Sequence, residues 1–324
     1  MWALLAAMSA VFLGFYDVFK KRSLLDNAVI PVLTLNCIFC SLFFVPLITG
    51  SMCGVIDTSS CLYIPSGGWI DHRYAFLKAV LVLSSWICGY IAIKRLPLTI
   101  VGPVNATRPV LTLLGAMMIF GERLNFFQWT GVCIAVLSFY MLGRSGEKEG
   151  IDFKHDKGIL FLVVAAVIGA VCGLYDKYLL SPVASGGLGL DGFFVQGWYN
   201  FYQAVMMLAV LVFCHLFEKH KKAGLPSYNN RCEIVGPSHT AFHWKWSIPM
   251  ISVCLTAGDM SYMHALTIPG AMISIVSMIR RSSVLVSFVF GAILFHEKNL
   301  KGKSLDLILV IISLLFLLAG TIFR

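Results

Sequence analysis

Apolar stretches long enough to span a membrane recur along the whole chain, and they constrain its fold more than any other feature. They fall at residues 3–20, 28–49, 74–93, 98–120, 126–143, 158–178, 193–217, 247–268, 271–295 and 304–323. At about 1.5 Å per residue, a helix of about twenty residues crosses a bilayer's hydrocarbon core. The chain is 58% hydrophobic and 13% charged over 324 residues, more apolar surface than one soluble core could bury. The sequence predicts an all-α, multi-pass membrane protein with ten transmembrane helices.

A pattern from the first half of the chain returns in the second half. The first set is Gly14, Tyr16, Asp17, Tyr90, Pro97 and Arg108, and the second is Gly173, Tyr175, Asp176, Tyr262, Pro269 and Arg280. In both halves the spacing from tyrosine to proline to arginine is 7 and 11 residues. Glu122 and Glu297 then follow the arginines, at 14 and 17 residues. Halves of five spans each must be inverted relative to one another, so we predict inverted repeats at 1–145 and 158–324, joined by a linker at 146–157.

Paired arginines interrupt the ninth stretch near its middle, at Arg280 and Arg281, and Arg108 interrupts the fourth. An arginine at this depth costs about 2.5 kcal/mol or more unless it faces a partner or a water-filled cavity. Intramembrane arginines at repeat-equivalent positions therefore indicate a functional site. Arg281 is about 100° further round the helix than Arg280, so the two can hardly face one cavity together. Structural salt bridges to intramembrane aspartates are the alternative interpretation.

These features resemble the EamA-type members of the drug/metabolite transporter superfamily. The first helix has Gly14 followed seven residues later by Lys21, and the fourth and ninth helices end in Gly-Glu-Arg at 121–123 and His-Glu-Lys at 296–298. The resemblance covers essentially the whole chain but does not specify a substrate. It implies a secondary active transporter of a small organic metabolite by alternating access, and not an enzyme. No phosphate-binding Gly-x-x-x-x-Gly-Lys motif occurs, and we expect no cofactor and no metal.

Two groups of polar residues within the stretches are the candidate site. The predicted substrate-binding residues are Arg108, Arg280, Asn105, Tyr90 and Tyr262. The arginines would attract a carboxylate or phosphate, so an anionic or zwitterionic substrate is expected. The predicted coupling residues, for protons or for a substrate amino group, are Asp17, Asp176, Asp259 and His264. Ion pairing, interhelical hydrogen bonding and ordinary packing are the plainer interpretations of the same residues.

Charge in the gaps predicts the orientation. Seventeen lysines and arginines follow the odd-numbered stretches, against three on the other side. By the positive-inside rule the first set is cytoplasmic and both termini lie outside, whereas many members of the resembled family place both termini in the cytoplasm. Met1 opens directly into an apolar run, so we expect the first segment to be retained. We expect a cell-membrane location (plasma or inner membrane).

Other functions and partners remain open. The net charge of +9 lies mainly in the gaps, so nucleic acid is not expected as a partner. A small-molecule substrate and the lipid bilayer are expected; a homodimer is open. Alternatives are a flippase for a lipid-linked anion, a structural or receptor-like protein, and an intramembrane aspartyl protease using Asp17 and Asp259. Cys53 and Cys61 could form a disulfide outside the membrane, and His239 and His243 with Cys232 are a weak metal candidate.

Overall fold

The computed structural model describes residues 2–60, 62–120, 125–147, 156–181, 183, 186–224, 242–267, 276, 279–295 and 300–322. Its helices are α1 (Trp2–Leu24), α2 (Val29–Met52), α3 (Trp69–Arg95), α4 (Leu98–Ala106), α5 (Arg108–Phe120), α6 (Phe126–Glu147), α7 (Lys157–Leu180), α8 (Gly192–Gly224), α9 (Ser247–Thr267), α10 (Ser283–Leu294) and α11 (Leu300–Ile322). Over these residues the chain forms no strand. The predicted all-helical class is confirmed.

Six helical segments are long and apolar enough to cross a membrane. They are α1, α2, α3, α7, residues Gly192–Cys214 of α8 and residues Lys303–Gly320 of α11. Large apolar side chains on their outer surfaces, such as Leu42, Phe43 and Val167, are exposed, as expected for helices that face lipid. The chain is therefore a multi-pass integral membrane protein. The full count of ten spans remains a prediction.

Two of the predicted spans are broken in the middle. The fourth is divided at Thr107 into α4 and α5, and the ninth turns at Ser282 before α10 begins. The Thr107 hydroxyl donates to the Val104 carbonyl at 2.7 Å, and the Ser282 hydroxyl donates to the Ile279 carbonyl at 2.6 Å. Each hydroxyl thus satisfies a carbonyl three residues earlier, where the regular helical hydrogen bonds are interrupted.

The breaks also locate a mismatch between the two sequence patterns. Thr107 precedes Glu122 by 15 residues, and Ser282 precedes Glu297 by 15 residues. Measured from Arg108 and Arg280, the corresponding spacings differ by three residues. The extra helical turn of the second half therefore lies between its arginine and its break.

Packing pairs the helices across the two halves of the chain. Helix α1 packs on α9 and α10, as α7 packs on α3 and α5; α2 packs on α9, as α8 packs on α3. Helices α2 and α8, α4 and α10, and α6 and α11 also pair with each other. One buried cluster draws on α1 to α4 and α7 to α9, and a second joins α5, α6, α10 and α11.

The lysines at the end of α1 correct one detail of the predicted gaps. The first span was predicted to end at residue 20, but α1 continues to Leu24. Lys20 and Lys21 are buried on this helix, with 6% and 7% of their surfaces exposed. The Lys21 ammonium donates to the carbonyls of Ile93 and Leu96 at 2.6 and 2.5 Å, at the C-terminal end of α3. Both lysines therefore have roles within the fold besides orientation.

Several predictions fall on residues outside the described part of the chain. They concern Glu122, Glu297, Cys61, Cys232, His239 and most of the 146–157 linker. The proposed disulfide and metal candidate involve these residues and remain untested. Within the described residues, no three His, Cys, Asp or Glu side chains are grouped as metal ligands would be.

Candidate functional site

A cavity of about 190 Å³ opens where the two broken spans meet α1 and α3. Side chains of α1, α3, α4, α5, α9 and α10 line it, together with Arg281 just before the Ser282 break. Its walls include residues of both buried clusters, among them Tyr16 and Val284. The cavity therefore lies between the two main packing units of the described chain.

Four charged side chains line this cavity, and three of them are cationic. They are Lys20, Arg108, Arg281 and Asp17. Lys20 and Asp17 form an ion pair at 3.0 Å along one face of α1. The Lys20 ammonium also lies 4.2 Å from the ring centre of Tyr16 and 5.2 Å from that of Tyr90. With one carboxylate against three cations, the described lining carries an excess of two positive charges.

Three buried polar atoms at the cavity make no hydrogen bond to the described protein. They are the hydroxyl of Tyr90, the amide oxygen of Asn105 and Nε of Arg108. A hydroxyl can donate and accept, an amide oxygen accepts, and a guanidinium nitrogen donates. Buried polar groups are nearly always paired, because an unpaired one costs about 1 to 3 kcal/mol. A polar ligand in the cavity would supply the missing partners.

Helix α7 approaches the guanidinium of Arg108 through a glycine. A Cβ atom built on Gly169 would lie 3.0 Å from both Cζ and Nε of Arg108. Gly102 of α4 similarly faces Val284 of α10, where an added Cβ would lie 2.9 Å from a valine methyl group. Residues without side chains thus allow α7 to contact Arg108 and the two broken spans to pack closely beside the cavity.

Three of the five predicted binding residues, Arg108, Asn105 and Tyr90, line the cavity. Arg280 does not. It forms an ion pair with Asp259, and its guanidinium carbon lies 4.5 Å from the ring centre of Tyr262. Arg281 lines the cavity instead, which corrects the predicted geometry. A binding role for Arg280 or Tyr262 would require this pair to rearrange.

Of the four predicted coupling residues, Asp17 alone is among those that line the cavity. Asp259 binds Arg280 and also accepts a hydrogen bond at 2.8 Å from the Gln196 amide. Asp176 pairs with Lys78 at 2.8 Å, and His264 is exposed on α9.

The aspartyl protease alternative requires two facing carboxylates, whereas Asp17 and Asp259 each bind a cation. This arrangement does not favour that alternative.

Two cavity residues escaped the sequence-based interpretation. Lys20 was counted as a gap charge because it lies at the predicted end of the first span, and Arg281 was set aside in favour of its neighbour. The spacing of Asp17 and Lys20 could have revealed the first, since residues three apart on a helix are neighbours. For Arg281 the sequence offers no comparable signal, because the break that sets its direction is not marked by proline or glycine.

Known proteins resemble this chain as follows. The model of the EamA-like transporter family matches residues 1–144. A protein of Archaeoglobus fulgidus named an uncharacterized transporter is 21% identical over 180 residues, or 54% of this chain. That match spans 58% of the relative's own length. One protein of known crystal structure is 14% identical over 96% of both chains with a TM-score of 0.54, a likeness in fold alone. The predicted family resemblance is confirmed over residues 1–144, and the names indicate a transporter rather than an enzyme.

Proposed function

Because residues 1–144 match the EamA-like transporter family, we propose that this chain is a secondary active transporter that moves a small organic anion by alternating access. The observation that carries the proposal is the cavity in which Lys20, Arg108 and Arg281 face a single described carboxylate. A transporter for a neutral solute would have no use for uncompensated intramembrane charge, which is expensive to maintain.

The geometry of arginine favours an anion with two coplanar oxygens. A guanidinium group can donate two parallel hydrogen bonds to a carboxylate or phosphate, which lysine cannot do. Arg108 has an unpaired Nε, and Tyr90 and Asn105 add a hydroxyl and an amide oxygen for further polar groups of the ligand. A zwitterion could use its anionic group in the same way, with Asp17 near its amino group.

The size of the cavity favours a small metabolite over a lipid-linked one. At about 190 Å³ it is smaller than the roughly 300 to 1,000 Å³ typical of pockets for drug-sized ligands. The flippase alternative would require a lipid chain to leave this cavity towards the bilayer, and no described feature favours such an opening.

The arrangement of the helices supports an inverted repeat around this cavity. Exchanging each helix of one half for its counterpart in the other converts the main packing pairs into one another. Transporters of this architecture bind substrate at the repeat interface, beside helices interrupted near the membrane midplane. The breaks at Thr107 and Ser282 fit that description, and we assign the repeats to residues 1–145 and 158–324.

Exchange in proteoliposomes tests the proposal. Vesicles containing the purified chain would be preloaded with malate, glutamate, glycerol 3-phosphate or glycerol, and entry of the same labelled compound would be measured. We expect preloading to stimulate entry of at least one of the three anions but not of glycerol, and Arg108→Gln to abolish the stimulation. Equal stimulation by glycerol, or wild-type exchange by Arg108→Gln, would contradict an anion site at this cavity.

A further inference from the structure

Asp17 and Lys20 form an ion pair inside the proposed anion site, at 3.0 Å. We propose that Asp17 competes with the transported anion for Lys20, so that the anion binds together with a proton on Asp17. Transport would then move protons and anions in the same direction. This inference rests on the proposed anion site and adds the residue that would couple it to protons.

The other acidic candidates have partners away from the cavity. Asp259 is paired with Arg280, and Asp176 is paired with Lys78, which also lies 4.7 Å from the ring centre of Tyr199. None of these residues is among those lining the cavity. Asp17 differs because its cationic partner is itself a cavity residue. A proton on Asp17 therefore changes the charge that an anion meets, whereas a proton on Asp176 changes a pair elsewhere.

The competition follows from counting charges at the cavity. When Asp17 is ionised, it neutralises Lys20, and the anion meets the two arginines. When Asp17 is protonated, Lys20 becomes available as a third cation. The anion then binds more tightly, and by linkage the bound anion favours the protonated carboxyl by the same factor. The proton comes from water at the cavity and returns to water after the anion leaves.

The surroundings of Asp17 leave it as the group whose charge changes near neutral pH. The ionisable side chains nearby are Tyr16 and Lys20 on α1, Cys37 and Cys40 on α2, Tyr90 on α3, Arg108 on α5, the Asp259–Arg280 pair beside α9, and Arg281. Lysine, arginine and tyrosine ordinarily titrate at about pH 10 or above, and the two cysteines are buried among apolar side chains. Asp259 is held ionised by Arg280.

Sulfate is a suitable probe because its charge stays at two between pH 5 and 8. Its affinity would be measured by calorimetry on the purified full chain at pH 5.5 and pH 7.5. We expect the wild type to bind sulfate about tenfold more tightly at the lower pH, within the usual range of coupling. Asp17→Asn should bind tightly at both values, without the difference. Asp176→Asn is the matched control, since Asp176 also pairs with a lysine, and it should keep the wild-type difference.

An Asp17→Asn variant that keeps the full pH difference would overturn the inference. Should that variant fail to fold, proton uptake by the wild type decides the question: sulfate added in weak buffer at pH 6.5 should raise the pH of the solution. Sulfate binding without proton uptake would overturn the coupling and leave the anion site standing. No sulfate binding by the wild type at either pH would instead overturn the anion site itself.

Discussion

Lys20 and Lys21 are adjacent in sequence, yet they lie in different surroundings. Lys20 lines the cavity beside Asp17, whereas Lys21 donates to the carbonyls of Ile93 and Leu96 at the end of α3. A basic residue at the C-terminal end of a helix satisfies carbonyls that have no intrahelical partner. The first lysine thus belongs to the proposed binding site and the second stabilises the junction of α1 with α3.

Replacing each lysine in turn separates binding from stability. Lys20→Met should weaken sulfate binding about tenfold, because one charge-assisted contact is lost. Lys21→Met should leave binding unchanged but lower the unfolding free energy by about 1 to 3 kcal/mol, because buried carbonyls lose their donor. Sulfate titration and thermal unfolding of both variants check this. An equal loss of affinity in the two variants would show that Lys20 has no special place in the site.

The ion pair of Arg280 and Asp259 is expected to act on stability. Arg280→Met leaves a carboxylate without its cation at a largely buried position, which typically costs about 3 kcal/mol or more. Adding Asp259→Asn removes the charge and keeps an amide beside Gln196, so the double variant should recover most of the loss. Thermal unfolding measures both effects. If Arg280→Met instead abolishes anion binding at unchanged stability, the binding role predicted from the sequence is right.

At the scale of helices, the breaks at Thr107 and Ser282 connect the fold to the site. The first break places Asn105 at the end of α4 and Arg108 at the start of α5, both facing the cavity. The second break follows directly after Arg281. Interrupted helices are tolerated within a membrane where hydroxyl groups or a cavity satisfy the freed backbone groups. Both conditions hold here.

Removing the hydroxyl at the first break should affect binding more than removing one in a regular helix. Thr107→Val eliminates the hydrogen bond to the Val104 carbonyl, at a cost of about 1 kcal/mol, and should shift Arg108 and weaken sulfate binding severalfold. Thr112→Val is the control, because Thr112 donates to the Arg108 carbonyl within α5. Comparable loss of affinity in both variants would argue that the break does not position the site.

The sequence predicted the helical elements better than their interruptions. Hydropathy alone located the spans, because each must bury its backbone hydrogen bonds within one apolar stretch. It read 98–120 and 271–295 as continuous, since a single hydroxyl residue within an apolar run carries no clear signal for a break. Arg108 was found because intramembrane charge is rare. The pairing of Arg280 with Asp259 depends on how α9 packs, which no local pattern contains.

At the scale of the whole molecule, orientation remains a prediction from charge. Lys20 and Lys21 lie within α1, yet most of the basic residues still fall on one side. We expect residues 144–157 and 218–246 in the cytoplasm and both termini outside. Reporter fusions after Ser145 and after Arg324 test this. A cytoplasmic signal from the second fusion would reverse the assignment and support the orientation of many family members.

The most direct test of the account is to locate a bound anion. Selenate has the shape and charge of sulfate, and its selenium gives an anomalous signal in crystals of the full chain. The account predicts an anomalous peak in the cavity, within hydrogen-bonding distance of Arg108 and Arg281 and near Lys20. A chain that binds selenate in solution but shows its peaks only at lysines outside the cavity would contradict the central claim.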